Sequence, residues 1–429
     1  MRETMSDGAQ TKQTFQAVKG TKDVLPDVAP YYQLVEEKAR ELFALYGYRE
    51  IRTPILESTE LFARSVGQAS DIVVSKQMYT FTDPGNRSNT MRPEGTAGVV
   101  RALIESGAFK ETSQQKVFYM GPMFRYERPQ KGRLRQFTQI GMECFGISHP
   151  AADAETIILS TELLKAVGFR DISVKLNNIG DHDCRRAYNE ALRQAIATGT
   201  KWCPQCRERA AINPMRVFDC KVPECKELTA DLPSVIDFLN PTSQRHHRSV
   251  CEILDAVGVP IELDTELVRG LDYYSQTVFE VVHNGLGAQN AMLGGGRYDY
   301  LVEELGGPPT PGVGMSIGLE RLILAMQASE IKPPPPPAPE YYLLALDDDS
   351  IITVSRLAAL ARRHGNRVAF DCQPRSARAG LKAADRSGAA AAIIIGTSEL
   401  ERKVAQWKNL ENGEQMELTL EEIERNLIE

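Results

Sequence analysis

The chain has 429 residues, of which 42% are hydrophobic and 25% charged, an ordinary balance for a soluble globular protein of about two or three domains. No run approaches the roughly 18 apolar residues of a membrane helix. The polar start, residues 1–16, lacks an apolar signal core and reads as a frayed terminus rather than a secretory signal. Fifty Lys and Arg against 57 Asp and Glu give a net charge of −7, which taken whole argues mildly against nucleic acid, but the distribution matters more than the sum.

Residues 15–30 are turn-rich. A helix is predicted from about Tyr31 to Tyr46, with Leu34, Val35, Ala39, Leu42, Phe43 and Tyr46 at helical spacing and Gly47 just past its end. A strand leading to Thr53-Pro54 follows. Met78–Asp83 and Thr90–Glu94 read as strands around the turn Pro84-Gly85-Asn86. Glu94 and Thr96, two apart, either share a face or mark a strand end and a helix cap.

Val117–Gly146 is the stretch around which the rest is organised. Two aromatic-rich runs flank Pro129-Gln130-Lys131-Gly132, the pattern of a β-hairpin. From Arg125 to Arg135 there are five cations and one acid, Glu127. Gln139 and Glu143 fall on one strand face, and a buried face does not tolerate them without partners. A solvated surface hairpin would carry such charges; a cleft for a polar, anionic ligand explains both the arginines and the acid.

Ala152–Val167 reads as a helix and Ile172–Leu176 as a strand. Asp181–Val257 interrupts two core-like blocks and reads as an insertion domain. It carries Cys203, Cys206, Cys220 and Cys225 in the pattern C-x2-C-x13-C-x4-C, close to zinc-ribbon spacing, with a wider second gap. Structural Zn2+ and unmetallated thiols are both open. Four protein ligands would leave no place for a substrate, so any such site is expected to be structural and away from substrate contacts. Eight cysteines without an export signal imply a reducing compartment, hence the cytoplasm.

Beyond Glu262 come LVRGLDYYSQTVFEVVH, with Arg269, Asp272, Tyr273 and Tyr274, and NAMLGGGRYDYL. A strand is predicted at Thr277–Val282 with a loop at 284–287. The triple glycine suggests backbone pressed close to a ligand, or a sharp turn. Residues 311–328 read as a Gly-rich strand feeding a helix near Gly318. Arg321 in its first turn opposes the helix dipole, which points to a bound phosphate. A proline-rich linker at 333–339 precedes a strand–helix alternation from Glu340 that ends in a hairpin and a last helix, implying a small α/β domain with a mainly parallel sheet. Arg356–Arg386 forms a second basic island, with eight cations and two acids.

FRYERPQKGRLRQF resembles motif 2 of class II aminoacyl-tRNA synthetases, and in wording the histidyl-tRNA synthetase family. RPEGTAG, RGLDYY and the GGGRYDY block match that family's signatures; the helix–strand–Pro54 stretch resembles motif 1, and PGVGMSIGLERL motif 3. The resemblance covers nearly the whole chain. It implies an α+β catalytic core with a mainly antiparallel sheet in residues 1–180 and 258–332, an insertion domain at 181–257, a linker at 333–339 and an anticodon-binding domain at 340–429. It implies activation of L-histidine with ATP and Mg2+, transfer to tRNA(His), and a homodimer built on motif 1, with no membrane. In roles, it implies Arg125 and Arg269 as catalytic, and Glu94, Thr96, Gln139, Glu143, Tyr273 and Tyr274 around histidine. Arg125, Glu127, Arg133 and Arg321 would bind ATP, and Arg128 and Gln130 would face the tRNA acceptor end. Two other readings are weighed beside it. Silent paralogues serve as regulatory subunits of the first histidine-biosynthesis enzyme, but they usually lack the last domain and carry degraded motifs. A simple zinc-bearing RNA-binding protein would not need RGLDYY.

Overall fold

The computed structural model describes residues 15–65, 77–112, 114–130, 132–199, 201–285 and 291–428. The terminus before residue 15, Lys131 of the hairpin loop and loop residues 286–287 lie outside them. The chain divides into two compact units, with the break after Pro333.

The first unit opens with the helix Ala29–Leu45, which has Pro30 in its first turn and buries Val35, Ala39 and Phe43 as a single i, i+4 stripe. It stops where Gly47 takes φ +78°, a conformation open to glycine. The strands of this unit are β1 (Arg49–Glu50), β2 (Leu56–Ser58), β3 (Tyr79–Thr82), β4 (Ser88–Met91), β5 (Gln115–Phe124), β6 (Gln136–Phe145), β7 (Ile172–Asn178), β8 (Ile261–Leu263), β9 (Ser275–His283), β10 (Ala291–Arg297) and β11 (Gly312–Gly318). Eight of them form one sheet in the order β1-β5-β6-β11-β10-β9-β7-β8, and β2, β4 and β3 form a second. Among the described residues of the large sheet, only β1 with β5 and β7 with β8 pair in parallel, so it is mainly antiparallel.

Alternation along the central strands separates two environments. Phe118, Ile140, Met142, Cys144, Phe279, Val281, Val313, Met315 and Ile317 join one apolar core with the helices Ala29–Leu45, Ala151–Ala166 and Leu319–Ala328. The intervening residues look the other way, and on β10 and β11 they are small: Gly294, Gly296, Gly314, Ser316 and Gly318. Register places Gly294 beside Glu280 and Ser316, and Gly314 beside Glu143. The glycine runs therefore lie inside strands and form a floor stripped of side chains; the sharp turn held open for the triple glycine is not there.

One further expectation changes. The strand placed at Thr90–Glu94 is β4, ending at Met91. Arg92 leaves the ladder because its guanidinium is drawn inward, donating to Pro122 O at 2.9 Å and Thr53 O at 2.9 Å, and Pro93 has no N–H to give. The regular elements among the described residues of 181–257 are all helices, and they share their apolar contacts with the core on both sides. Val250 and Leu254 pack with Leu163 and Phe279, while Tyr188, Leu192 and Trp202 pack with Val99, Phe145 and Tyr298. A buried ion pair ties these parts together. Arg297 donates through Nε to both carboxylate oxygens of Asp153 at 3.1 Å, and His246 lies 3.1 Å from the same carboxylate.

The second unit holds β12 (Tyr341–Ala345), β13 (Val368–Phe370), β14 (Ala391–Ile395), β15 (Val404–Asn409) and β16 (Gln415–Thr419) in the order β13-β12-β14-β15-β16. The first three are parallel and the last two antiparallel, so the sheet is mixed rather than mainly parallel: the short loop between β15 and β16 can only close a hairpin. The helices Asp348–Arg363 and Leu420–Asn426 cover one face and Ala377–Ser387 covers the other.

Candidate active site

A cleft of about 600 Å³ opens over the glycine floor. It is lined by Glu94, Thr96, Arg125, Glu127, Arg133, Gln139, Arg269, Tyr273, Tyr274 and Arg321, all singled out from the sequence, and also by Arg209, Arg216, Asp219, Lys221, Glu280, Gly294, Ser316, Gly318 and Glu320.

The closed end is built by the start of the helix Thr96–Glu105. No side chain of its cap residue Gly95 serves it; instead Glu94 accepts from Thr96 N at 2.6 Å and Ala97 N at 3.0 Å. Glu94 is thus both the helix cap and an acid in the cleft, and burial raises its pKa against those bonds and the nearby Arg125 charge. Thr96 Oγ1 donates to Glu143 Oε1 at 2.7 Å, and the Tyr298 hydroxyl donates to Glu143 Oε2. Glu143 sits behind Thr96 rather than in the cleft wall, and its pKa is pushed up to about 8 by burial, against its two hydrogen bonds and with help from Glu94. Nothing larger than glycine fits opposite it: a Cβ on Gly314 would lie 1.9 Å from its carboxylate. Tyr273, Tyr274 and Tyr298 pack tilted and edge-on as a cluster with centroid separations of 4.8, 5.5 and 6.5 Å. Gln139, buried at the β6 end of the floor, has no hydrogen-bond partner for Oε1.

The open end is cationic. The Arg125 guanidinium donates from Nε to Pro93 O at 2.8 Å and lies 5.3 Å from the Phe137 ring; burial lowers its pKa. Arg269 pairs with Glu280. Although burial pulls its pKa down, the neighbouring Tyr274 and Glu280 raise it on balance. Arg321, third in the helix Leu319–Ala328, has its pKa lowered by burial and by Arg133 and Arg269 nearby. Glu127 and Arg133 approach to 3.4 Å at the mouth. Cations crowded into one half-buried cleft repel one another, and an anion relieves that cost.

Arg128 and Gln130 are exposed and lie outside this lining. Gln130 is held by a backbone bridge to Arg133. Arg135, counted in the same basic island, turns away, covering the Tyr126 ring at 3.9 Å and packing on Gly20. The four cysteines come together; none of them lines the cleft, though the chain between them walls it through Arg209, Arg216 and Asp219. Sequence reasoning also gave no role to Glu280 and Tyr298. The signal for Glu280 was a lone acid in the apolar run VFEVV.

The histidyl-tRNA synthetase family model matches residues 20–195 and 225–322, and an anticodon-binding domain model matches 342–429. The chain belongs to the histidyl-tRNA synthetase family. It is 45% identical over 414 residues to the histidine–tRNA ligase of Halothermothrix orenii, covering 96% of this chain and 98% of that one. It is 46% identical over 413 residues to that of Geobacillus kaustophilus, covering 95% and 97%. Its fold follows the apo S. aureus histidyl-tRNA synthetase with a TM-score of 0.81 at 34% identity, over 97% of this chain and 100% of that one. Family membership makes it a class II synthetase, with the α+β core and separate last domain that class carries. Among the described residues, no helix is long and apolar enough to cross a membrane.

Proposed function

We propose that the chain activates L-histidine with ATP to histidyl-adenylate and pyrophosphate and then transfers histidine to tRNA(His). The observation that carries this reading is the polarity of the cleft: uncharged and acidic acceptors at the closed end, Arg125, Arg269, Arg133 and Arg321 at the open end.

The α-ammonium of histidine finds acceptors in Glu94, Thr96 and the unpartnered Gln139 Oε1. The imidazole lies against Tyr273 and Tyr274, and Glu143 accepts from its ring N–H in exchange for one of its present bonds. A site that must satisfy both a ring donor and a ring acceptor rejects amino acids lacking them. The histidine carboxylate attacks the α-phosphate, both negatively charged. Arg125 and Arg269 neutralise the charge that builds there, and Arg321 with Arg133 holds the phosphate tail. Mg2+, when bound, would supply positive charge that offsets the phosphates. Glu127 and Glu320, whose Oε2 is buried without a hydrogen-bond partner, are carboxylates of the kind that would hold it.

Arg128 and Gln130, exposed beside the mouth, face the tRNA acceptor end, and residues 340–429 bind the anticodon. Residues 1–180 and 258–332 act as the catalytic core, with 181–257 inserted in it and 333–339 as linker. Two chains pair through motif 1, where Leu45, Ile55 and Leu56 stand exposed. The protein works in the reducing cytoplasm, where its eight free cysteines stay unpaired.

The test is exchange of labelled pyrophosphate into ATP. Exchange that requires histidine and Mg2+ is the expected result. Folded protein that shows none would sink the enzymatic reading in favour of a regulatory one.

A further inference from the structure

Three of the four clustered cysteines, Cys203, Cys206 and Cys220, fall in residues 196–224, the stretch that the family model leaves unmatched between its two segments. Their sulfurs and that of Cys225 all lie within 4.8 Å of one another, with Cys203 and Cys220 at 4.0 Å. Four thiolates around one Zn2+, each bonded at about 2.3 Å in a tetrahedron, stand about 3.8 Å apart. The thiols therefore need shifts of an ångström or less to bind.

Local structure explains how irregular spacing gives a regular cluster. Cys203 caps the helix Pro204–Ile212 and accepts from Cys206 N at 3.4 Å. Cys220 ends the 3-10 turn Pro214–Asp219, and Cys225 enters the first turn of the helix starting at Pro223. The two extra residues of the second gap are taken up by the extended link through Lys221 and Val222. Cys203 N donates to Cys225 Sγ at 3.3 Å. Backbone N–H groups aimed at sulfur are the outer-shell bonds that hold a metal-bound thiolate. The helices here have nine and seven residues, too short to hold themselves without a staple.

The segment closed by these cysteines also carries part of the cleft. Asn213 Nδ2 donates to Asp272 Oδ1 at 2.8 Å, and Arg216 Nη1 to Gly270 O at 3.4 Å. Arg216 also pairs with Asp219 at 2.9 Å. The loop 269–274, which supplies Arg269, Tyr273 and Tyr274, is thus held from behind by residues lying between Cys206 and Cys220.

We propose that Cys203, Cys206, Cys220 and Cys225 bind one structural Zn2+, and that this ion braces the wall of the cleft against which the loop 269–274 is set. Four soft thiolates in a closed tetrahedron select zinc and leave no position for substrate. The bracing half of the proposal rests on reading the cleft as the histidine and ATP site; the metal half does not.

Full-length protein purified without chelators is analysed for metals. About one zinc per chain is expected, lost in Cys206→Ser and Cys225→Ser and kept in Cys372→Ser, which alters an exposed thiol of the other unit. Zinc well below stoichiometric, with the four thiols reactive in the folded chain or joined as disulfides, overturns the site; stoichiometric iron overturns the choice of ion. Because the serine variants can fail to fold, bracing is read on wild-type protein stripped with a mercurial and then reduced with or without added zinc. Pyrophosphate exchange should fall several-fold on stripping, mainly through higher KM, and return only with zinc. Unchanged exchange in zinc-free protein overturns the bracing role. Absence of exchange even in zinc-loaded protein would instead count against the catalytic reading, leaving the metal result standing.

Discussion

Gly294 lies directly under the guanidinium of Arg269: a Cβ at this position would stand 2.6 Å from Nη1 and 2.8 Å from Cζ. At the next residue, Gly295, a Cβ would instead strike backbone, 2.1 Å from Gly314 O. The two glycines should fail differently. Gly294→Ala displaces the end of a flexible side chain, so the fold survives while kcat for pyrophosphate exchange drops about 10-fold or more, by loss of a positioned charge. Gly295→Ala parts β10 from β11 and should cost about 1–3 kcal/mol of stability as overpacking. Thermal melts and exchange kinetics on both variants check this; equal melting losses would contradict it.

Glu143 gives the free protein a pH dependence whose sign follows from its raised pKa. Unfolded, this carboxyl ionises in the ordinary range; folded, it holds its proton to about pH 8. Its contribution to stability is complete below the ordinary value and is lost as pH rises through about 8. One such group changes stability by at most about 1.4 kcal/mol per pH unit. Glu94 and Glu320 are raised as well, so the comparison must isolate one residue. Melting temperatures of wild type and Glu143→Gln, taken between about pH 5 and pH 8.5, should move in the variant's favour as pH rises. A constant difference would show that Glu143 is already ionised.

Asp153 behaves oppositely. Its carboxylate is fully buried, yet Arg297 and His246 outweigh burial and hold its pKa at about 2. The stability it supplies is present above the ordinary aspartate range and is lost as pH falls toward 2. Asp153→Ala leaves the Arg297 charge buried and should cost about 3–5 kcal/mol, read as a lower denaturant midpoint. A loss below about 1 kcal/mol, as for a surface pair, would refute the role.

Much of this was legible from residue types. The hairpin strands Gln115–Phe124 and Gln136–Phe145 begin and end close to the predicted runs, because aromatic alternation and the Pro-Gln-Lys-Gly turn are local signals. The helix Ala29–Leu45 was set by its stripe and its glycine. The glycine floor was not legible as a floor. It exists because β11 lies between β6 and β10, a pairing across most of the unit that no window reveals. The cleft wall from residues 209–221 was hidden for the same reason: Asn213 and Arg216 meet Asp272 and Gly270 only through the tertiary fold. Arg321 was found because a cation near a helix start is locally unfavourable and so asked for an anion.

Removal of residues 334–429 separates two readouts. That unit has its own core around Leu343, Val354, Leu357, Ile393 and Ile423, so the remaining chain loses no part of its cleft. Histidine-dependent pyrophosphate exchange should persist while charging of tRNA falls by at least about 10-fold, through the lost phosphate contacts. Within that unit, Arg378, Lys382 and Arg386 stand exposed one turn apart on a single helix. Their joint replacement by Ala in the full chain should weaken charging and flatten its salt dependence. Charging unaffected by either change would refute anticodon binding by this unit.

The position of β11 in the sheet also sets a schedule for synthesis. β6 has one hydrogen-bonding edge covered by β5, its hairpin partner, and the other reserved for β11, with Phe145 awaiting Gly312. A ribosome adding about 5–20 residues per second needs on the order of ten seconds or more to travel between them. Throughout that interval the nascent chain presents a ten-residue strand with an open edge, a template for unwanted pairing between chains. The first half of this protein therefore depends on its last core strand to stay soluble, and fragments released before residue 312 should aggregate where those ending after residue 333 do not.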